Sequence, residues 1–238
     1  MLTHQTLVVT SFNRKLYTEY AHRFWDTFPH DNFDLAVYSE DELTIPYTPL
    51  ELHKQFVERN KDKPVRGFKY DAVRFCYKPY SIAQSVEDYA HKEYERILWI
   101  DADTVFLEPV DEKWIDHNLD KIGSVMTYMG RHNYYSETGL LLFNLRTPHT
   151  KDYILDVKHL YDSNTLYALD EQHDSFIWDH VRTQYEQKGY KFNDVGIVEH
   201  KVPGGHIQAY RFGDVMDHTK GKRKAQGYSS ENRHSSIR

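Results

Sequence analysis

The chain has 238 residues, enough for one large core or at most two small domains, and its formal net charge of −6 gives it no overall attraction to nucleic acid. With 39% hydrophobic and 28% charged residues it has the composition of a globular protein, and its apolar runs are too short for a membrane-spanning helix. A single cysteine, Cys76, excludes an internal disulfide, and the polar opening of the chain lacks a signal-peptide core, so a cytoplasmic location is expected.

Residues 6–12, TLVVTSF, read as a buried strand, and residues 14–28 follow with helical spacing of Leu16, Tyr20, Phe24 and Phe28. Residues 34–39 form a second predicted strand, 43–49 a loop holding Pro46 and Pro49, and 50–66 a polar helix and connection. From Lys69 the apolar positions 72, 73, 76, 77 and 80 predict a helix that Pro79 bends or divides. Residues 97–100 are a strand buried on both faces, 112–119 a short helix, and 123–130 and 137–145 further strands. Helices at 150–161 and 170–188 and a last strand at 193–198 complete the pattern. The expected domain covers 1–226, with 227–238 a flexible tail. Alternating strands and helices imply an α/β sandwich with a mostly parallel sheet, whose ligands gather at the carboxyl ends of the strands.

At such an end lies the segment ILWIDADTVFLEP, which sets Asp101 and Asp103 directly after four large apolar residues. On an extended segment the two carboxylates point the same way, about 6–7 Å apart, with Ala102 opposite. Like charges that close call for a cation. Two hard oxygen ligands suit Mn²⁺ or Mg²⁺, ions that usually also bridge to phosphates. D-x-D also occurs as solvated loop charge; the apolar run before it favours the metal. The second chemical segment is DHTKGKRK, residues 217–224. Here His218 offers an imidazole to the same ion, Gly221 permits close backbone approach to a phosphate, and the following cations neutralise a diphosphate. A solvated basic tail with an incidental histidine is the alternative. Arg74 and Lys78, four apart on one predicted helix, share a face and are candidates for the donor sugar or phosphate, with Lys69 and Asp71 weaker ones. Cys76 reads as a core thiol.

Taken together, these segments resemble GT-A glycosyltransferases, above all those related to glycogenin and the bacterial lipooligosaccharide galactosyltransferases, which carry a D-x-D and a late H-x-x-G-x-x-K motif. His218, Gly221 and Lys224 match the spacing of the second motif. The resemblance implies a single-domain, Rossmann-like GT-A fold and a metal held by Asp101, Asp103 and His218. It implies a nucleotide-sugar donor bound by Thr10, Ser11, Phe12, Arg74, Lys78, Asp101, Ala102, Asp103, Gly221, Lys222 and Lys224, and hexose transfer from a UDP-sugar with retention. KYDAVRF, ETGLLLFNL and LDEQHDSF are similar to further family segments, the last placing Asp170, Glu171 and Gln172 at the reaction centre. The chain departs from the family at Glu137 and Thr138, at the residue after Gln172, and after Lys224, where no Pro-Trp follows. Helix capping is the other account of the three residues from Asp170, Glu137 is the rival base, and Asn144 is read as structural. His132, Tyr134 and Tyr135 are placed to cover an acceptor. Carbohydrate, protein and nucleic acid acceptors all stay open, and a metal-dependent nucleotidyltransferase or phosphohydrolase and a noncatalytic nucleotide-sugar-binding module are the competing functions.

Overall fold

The computed structural model describes residues 4–131, 133–196, 212–219, 221 and 223–226. In chain order these form β1 (Thr6–Ser11), α1 (Arg14–Leu16), a π turn (Tyr17–Ala21), α2 (His22–Thr27), β2 (Asp34–Ser39), β3 (Thr48–Pro49) and α3 (Lys54–Asn60). A 3₁₀ turn (Phe68–Tyr70), α4 (Ala72–Phe75), α5 (Tyr77–Asp88), β4 (Arg96–Ile100), β5 (Thr104–Phe106), α6 (Glu112–Asn118), β6 (Ser124–Arg131) and β7 (Tyr134–Asn144) follow. The remainder is α7 (Thr150–Asp162), a 3₁₀ turn (Thr165–Ala168), α8 (Asp174–Gln187), β8 (Lys191–Asp194), β9 (Met216–His218) and α9 (Arg223–Gln226).

Among the described residues, seven strands make one sheet in the order β3-β2-β1-β4-β7-β6-β8. β7 pairs antiparallel with both β4 and β6, and the remaining pairings are parallel, so β7 alone runs against the other six. The expected mostly parallel α/β architecture is the one observed. The continuous apolar runs have a simple cause: both faces of the sheet are covered. Leu7, Val9, Ile97, Trp99, Leu141 and Phe143 face a core shared with α5, α7 and α8. Their neighbours Val8, Leu98, Ile100, Leu140 and Leu142 face the opposite core, with Phe24 of α2 and Ile115 of α6. Each large apolar side chain so buried contributes roughly 1.5–3 kcal/mol. No helix among the described residues is long and apolar enough to cross a membrane.

The direction of β7 positions the site. Because β6 and β7 form a hairpin, the tip between Arg131 and Tyr134 lies at the same edge as the carboxyl ends of β1 and β4. A separate two-stranded ribbon, β5 against β9, sits beside that edge and pairs Thr104 with His218.

Several boundaries differ from expectation. The helix predicted from Lys69 divides at Cys76 rather than at Pro79, which lies in the first turn of α5, where a missing N–H costs nothing. Arg74 and Lys78 therefore stand on two short helices joined through Cys76, whose backbone keeps the α conformation. Asp71 caps α4 by accepting from the Arg74 amide. The helix predicted at 170 begins at Asp174, with His173 as its cap, so Asp170, Glu171 and Gln172 precede it. Thr48–Pro49 adds a short strand where a loop was expected, and β7 starts at Tyr134, ahead of the predicted 137. Of the predicted last strand, β8 covers Asn193 and Asp194, while 197 and 198 lie outside the described residues, as does the expected tail.

Candidate active site

Asp101 and Asp103 do not continue the strand. The Thr104 amide donates to the Asp101 carbonyl at 3.0 Å, so the chain folds into a tight turn straight after β4, correcting the extended geometry expected there. The turn is tied down on both sides: the Asp101 amide donates to the Gly139 carbonyl at 2.8 Å, and Trp99 Nε1 to Asp101 Oδ1 at 2.7 Å. The β5–β9 ribbon then delivers the histidine. Thr219 donates from both its amide and its hydroxyl to the Asp103 carbonyl, at 2.9 and 2.8 Å. His218 Nε2 thereby reaches Asp103 Oδ1 at 2.9 Å and Asp101 Oδ2 at 3.8 Å. One ligand atom from each of the three residues lies within 4.8 Å of the others. Two carboxylate oxygens and one imidazole nitrogen converging on a point are a donor set for a divalent cation of the Mn²⁺ or Mg²⁺ kind. The residues fit such an ion.

Cations flank this group. Lys224 Nζ lies 2.8 Å from Asp103 Oδ2 and 4.4 Å from the centre of the Tyr20 ring. On the other side Lys78, only 8% exposed, bonds to Asp101 Oδ1 at 2.9 Å and to Asp174 Oδ2 at 2.6 Å. Its third proton goes to the Thr138 carbonyl at 2.8 Å, and the Thr138 hydroxyl donates to Asp174 at 2.8 Å. The result is an alternating chain, Asp174–Lys78–Asp101–His218–Asp103–Lys224. Burial alone would raise the Asp103 carboxyl, but the His218 and Lys224 charges outweigh it and hold it well below the usual carboxylate range. Asp174 is likewise buried, and the charge and hydrogen bond of Lys78, helped by Thr138, pull it down to about 2. Burial opposes the charged form of Lys78, yet Asp101 and Asp174 together raise its pKa above the ordinary lysine value.

These groups line a cleft of about 1550 Å³. That exceeds the roughly 300–1,000 Å³ of a single small-molecule site, leaving room for two substrates. One end is formed by Ser11, Phe12, Asn13, Leu16 and Glu40, the other by Phe68, Phe75, Tyr134, Tyr135 and His173. Of the residues expected at a donor, Ser11, Phe12, Arg74, Lys78, Ala102, Gly221 and Lys224 line this cleft with the metal-binding group. Thr10 does not: it is fully buried within β1. His132, Lys220 and Lys222 lie outside the described residues.

Asp170, Glu171 and Gln172 do not line the cleft. Asp170 is exposed, Glu171 is shared by Lys69 and His173 at 2.7 Å each, and Gln172 Nε2 donates to the Leu169 carbonyl at 2.9 Å. Of this segment, Asp174 lines the cleft, with His173 and Ser175. In the sequence Asp174 falls inside a helix expected from 170, whereas the helix starts at Asp174 itself. The available signal was Lys78, a lysine among helix-core positions that needed carboxylates to meet it. Glu137 also lines the cleft; it is 3.5 Å from Arg131 and accepts from the Gly139 amide. Asn144, at the far end of β7, accepts from the Arg146 amide.

No model of a known protein family matches the chain, and no curated protein sequence matches it. Solved structures do match. A glycosyltransferase involved in the glycosylation of the major capsid of PBCV-1 superposes with a TM-score of 0.54 at 11% identity, over 93% of this chain and 98% of that one. The fold is that of a glycosyltransferase. Mouse xyloside xylosyltransferase 1 matches at 14% identity and a TM-score of 0.43, over 79% of this chain and 84% of that one. The glycosyltransferase GlyE of Streptococcus pneumoniae matches at 13% and 0.44, over 81% and 46%.

Proposed function

We propose that the chain is a metal-dependent glycosyltransferase that moves a hexose from a nucleotide-sugar donor, by preference a UDP-sugar, to a hydroxyl acceptor, and that residues 1–226 form its catalytic domain. The observation that carries this reading is the meeting of Asp101, Asp103 and His218 in a cleft with a lysine on each side. A bound Mn²⁺ or Mg²⁺ supplies a Lewis acid against the charge that builds on a leaving diphosphate. The rest falls to the chain. Lys224 stands beside Asp103 and turns to a diphosphate oxygen, while Gly221, at φ +59°, lets the backbone come close. Phe12, stacked on Tyr17 with ring centres 5.8 Å apart, closes the nucleoside end. Lys78 grips Asp101 and Asp174 together and so fixes a carboxylate on the sugar side of the metal-binding group.

A carboxyl held at about 2 is a poor proton acceptor near neutral pH. Asp174 therefore serves the hydroxyls of the donor sugar and the positive charge that develops at its anomeric carbon. An inverting displacement requires an enzyme base for the incoming hydroxyl, a role for which Asp174, tied to Lys78, is poorly suited, and the retaining course is the one the resemblance implies. Glu137 is the rival base, and the anomeric configuration of the product, read by NMR, decides between the two. A cytoplasmic setting belongs to the same proposal, supported by the lone, buried Cys76.

The test is to melt the protein against a panel of nucleotide sugars with and without Mn²⁺ and to assay nucleoside diphosphate release. The expected result is a UDP-hexose that raises Tm only with the metal and is slowly cleaved. Cleavage of nucleoside triphosphates in its place would replace the reading with a phosphohydrolase or nucleotidyltransferase, and binding without turnover with a noncatalytic module.

A further inference from the structure

The end of the cleft away from β1 is built from aromatic rings on three separate segments. Phe68 comes from the 3₁₀ turn after Gly67, whose φ of +154° favours glycine. Tyr134 and Tyr135 open β7 at the hairpin tip, and His173 caps α8. The rings brace one another. Phe68 stacks on His173 with centres 5.9 Å apart and meets Phe75 edge-on at 5.3 Å. Tyr135 meets both His173 and Phe176 edge-on at 5.3 Å. The His173 ring is fixed in turn, its Nδ1 accepting from the Phe176 amide and its Nε2 donating to Glu171 at 2.7 Å. Yet Phe68, a member of this cluster, is 60% exposed, and Tyr134, next to Tyr135 on the cleft wall, is 66% exposed. Large apolar rings held in place but left uncovered, at the rim of a reaction cleft, mark a binding surface rather than unfinished core.

The charges around the rings narrow its occupant. Lys69 and Arg131 are already paired, with Glu171 at 2.7 Å and Glu137 at 3.5 Å, and Asp174 is held by Lys78 at 2.6 Å. Arg74 is left among the described cations lining that end, too little for a run of phosphates. A wall whose charges are largely spent on one another, under flat rings, suits a neutral molecule that has an apolar face and many hydroxyls. A pyranose has both: its face of C–H groups meets the negative face of an aromatic ring, and its hydroxyls donate to carboxylates.

Resting on the transferase reading of the same cleft, we infer that Phe68, braced by His173 and Phe75, and the exposed Tyr134 on the cleft wall form an acceptor platform that binds a saccharide by stacking on its sugar ring. The full chain, with Mn²⁺ and UDP, is examined by saturation-transfer NMR with methyl α- and β-hexopyranosides, lactose, maltose and cellobiose, and with a short Tyr- and Ser-containing peptide. The expected result is transfer to the ring protons of at least one saccharide, weakened roughly threefold to tenfold in affinity by Phe68→Ala and by Tyr134→Ala and unaffected by Val65→Ala, which changes an exposed residue outside the cleft. The UDP-induced melting shift of each variant reports that the donor end is still folded. Transfer to none of the saccharides, transfer that both ring variants leave unchanged, or transfer to the peptide in their place overturns the platform while leaving the transferase reading intact. Absence of UDP binding with Mn²⁺ overturns the transferase reading, and the saccharide arms then judge the platform alone.

Discussion

Strand β4 carries a buried charge cluster at each end, and the two clusters do opposite things. At its start, Arg96 is fully buried and meets Glu112 at 2.9 Å, Asp120 at 3.2 Å and Asp116. Glu112 also accepts from the amides of Gln5 and Thr6 and from the Thr6 hydroxyl, so the cluster ties α6 to the amino end of the sheet. None of these residues lines the cleft. Beyond the other end of β4, the acids are also neutralised by cations, but there the chain from Asp174 to Lys224 is laid along an open wall. Ion pairing alone therefore does not mark a site. What distinguishes the second cluster is that its partners are reachable by a ligand able to replace one of them.

The contrast can be broken by mutation, beginning with the structural end. Arg96→Ala empties a fully buried site and leaves the half-buried Glu112 without its cation, Asp120 keeping Arg146, and is expected to cost about 3 kcal/mol, lowering Tm by roughly 6–12 °C while the Mn²⁺-dependent affinity for UDP stays unchanged. Asp103→Ala should do the reverse: nucleotide binding in Mn²⁺ falls by about a hundredfold or more, with Tm of the unliganded protein little altered, as titration calorimetry and melting would read. Equal effects of the two substitutions on stability and binding would erase the distinction.

Smaller effects sharpen it. Lys224→Ala should weaken UDP by about 1.5–3 kcal/mol and leave uridine binding alone, because the lysine is assigned to the diphosphate and not the base. The smallest effect concerns acid. Asp174 has a pKa lowered from 3.8 to about 2, so its share of stability is complete above about pH 4 and is lost as pH falls through 2. Wild type is expected to lose about 2 kcal/mol in that window that Asp174→Asn does not lose, measured as urea unfolding at pH 4, 3 and 2.

Much of this was legible in the residues, for physical reasons that also explain the rest. Strands buried on both faces must be apolar at every position, so Ile97 to Ile100 and Leu140 to Phe143 announce themselves. Asp101, Asp103, His218 and Lys224 were readable because their spacing within two short segments is itself the signal. Lys78 and Asp174 were not assigned to each other: they satisfy one another across 96 positions, and no local period encodes such a pair. Phe68 was invisible for a related cause, since an aromatic ahead of the helical pattern has no period to join until the fold sets His173 beneath it.

The β5–β9 ribbon has a further consequence, for the order in which the molecule is assembled. It joins residues more than a hundred positions apart through three paired positions, a small return for so large a loss of chain freedom. On that cost the ribbon is expected to close after the sheet beside it, and the burial of Phe106 and Met216 in the core below α2 then holds it shut. Because one of its strands carries His218 and the other follows directly on Asp103, the three candidate ligands come together only when the ribbon is closed, so pairing of β5 with β9 would be a precondition of the proposed cation site.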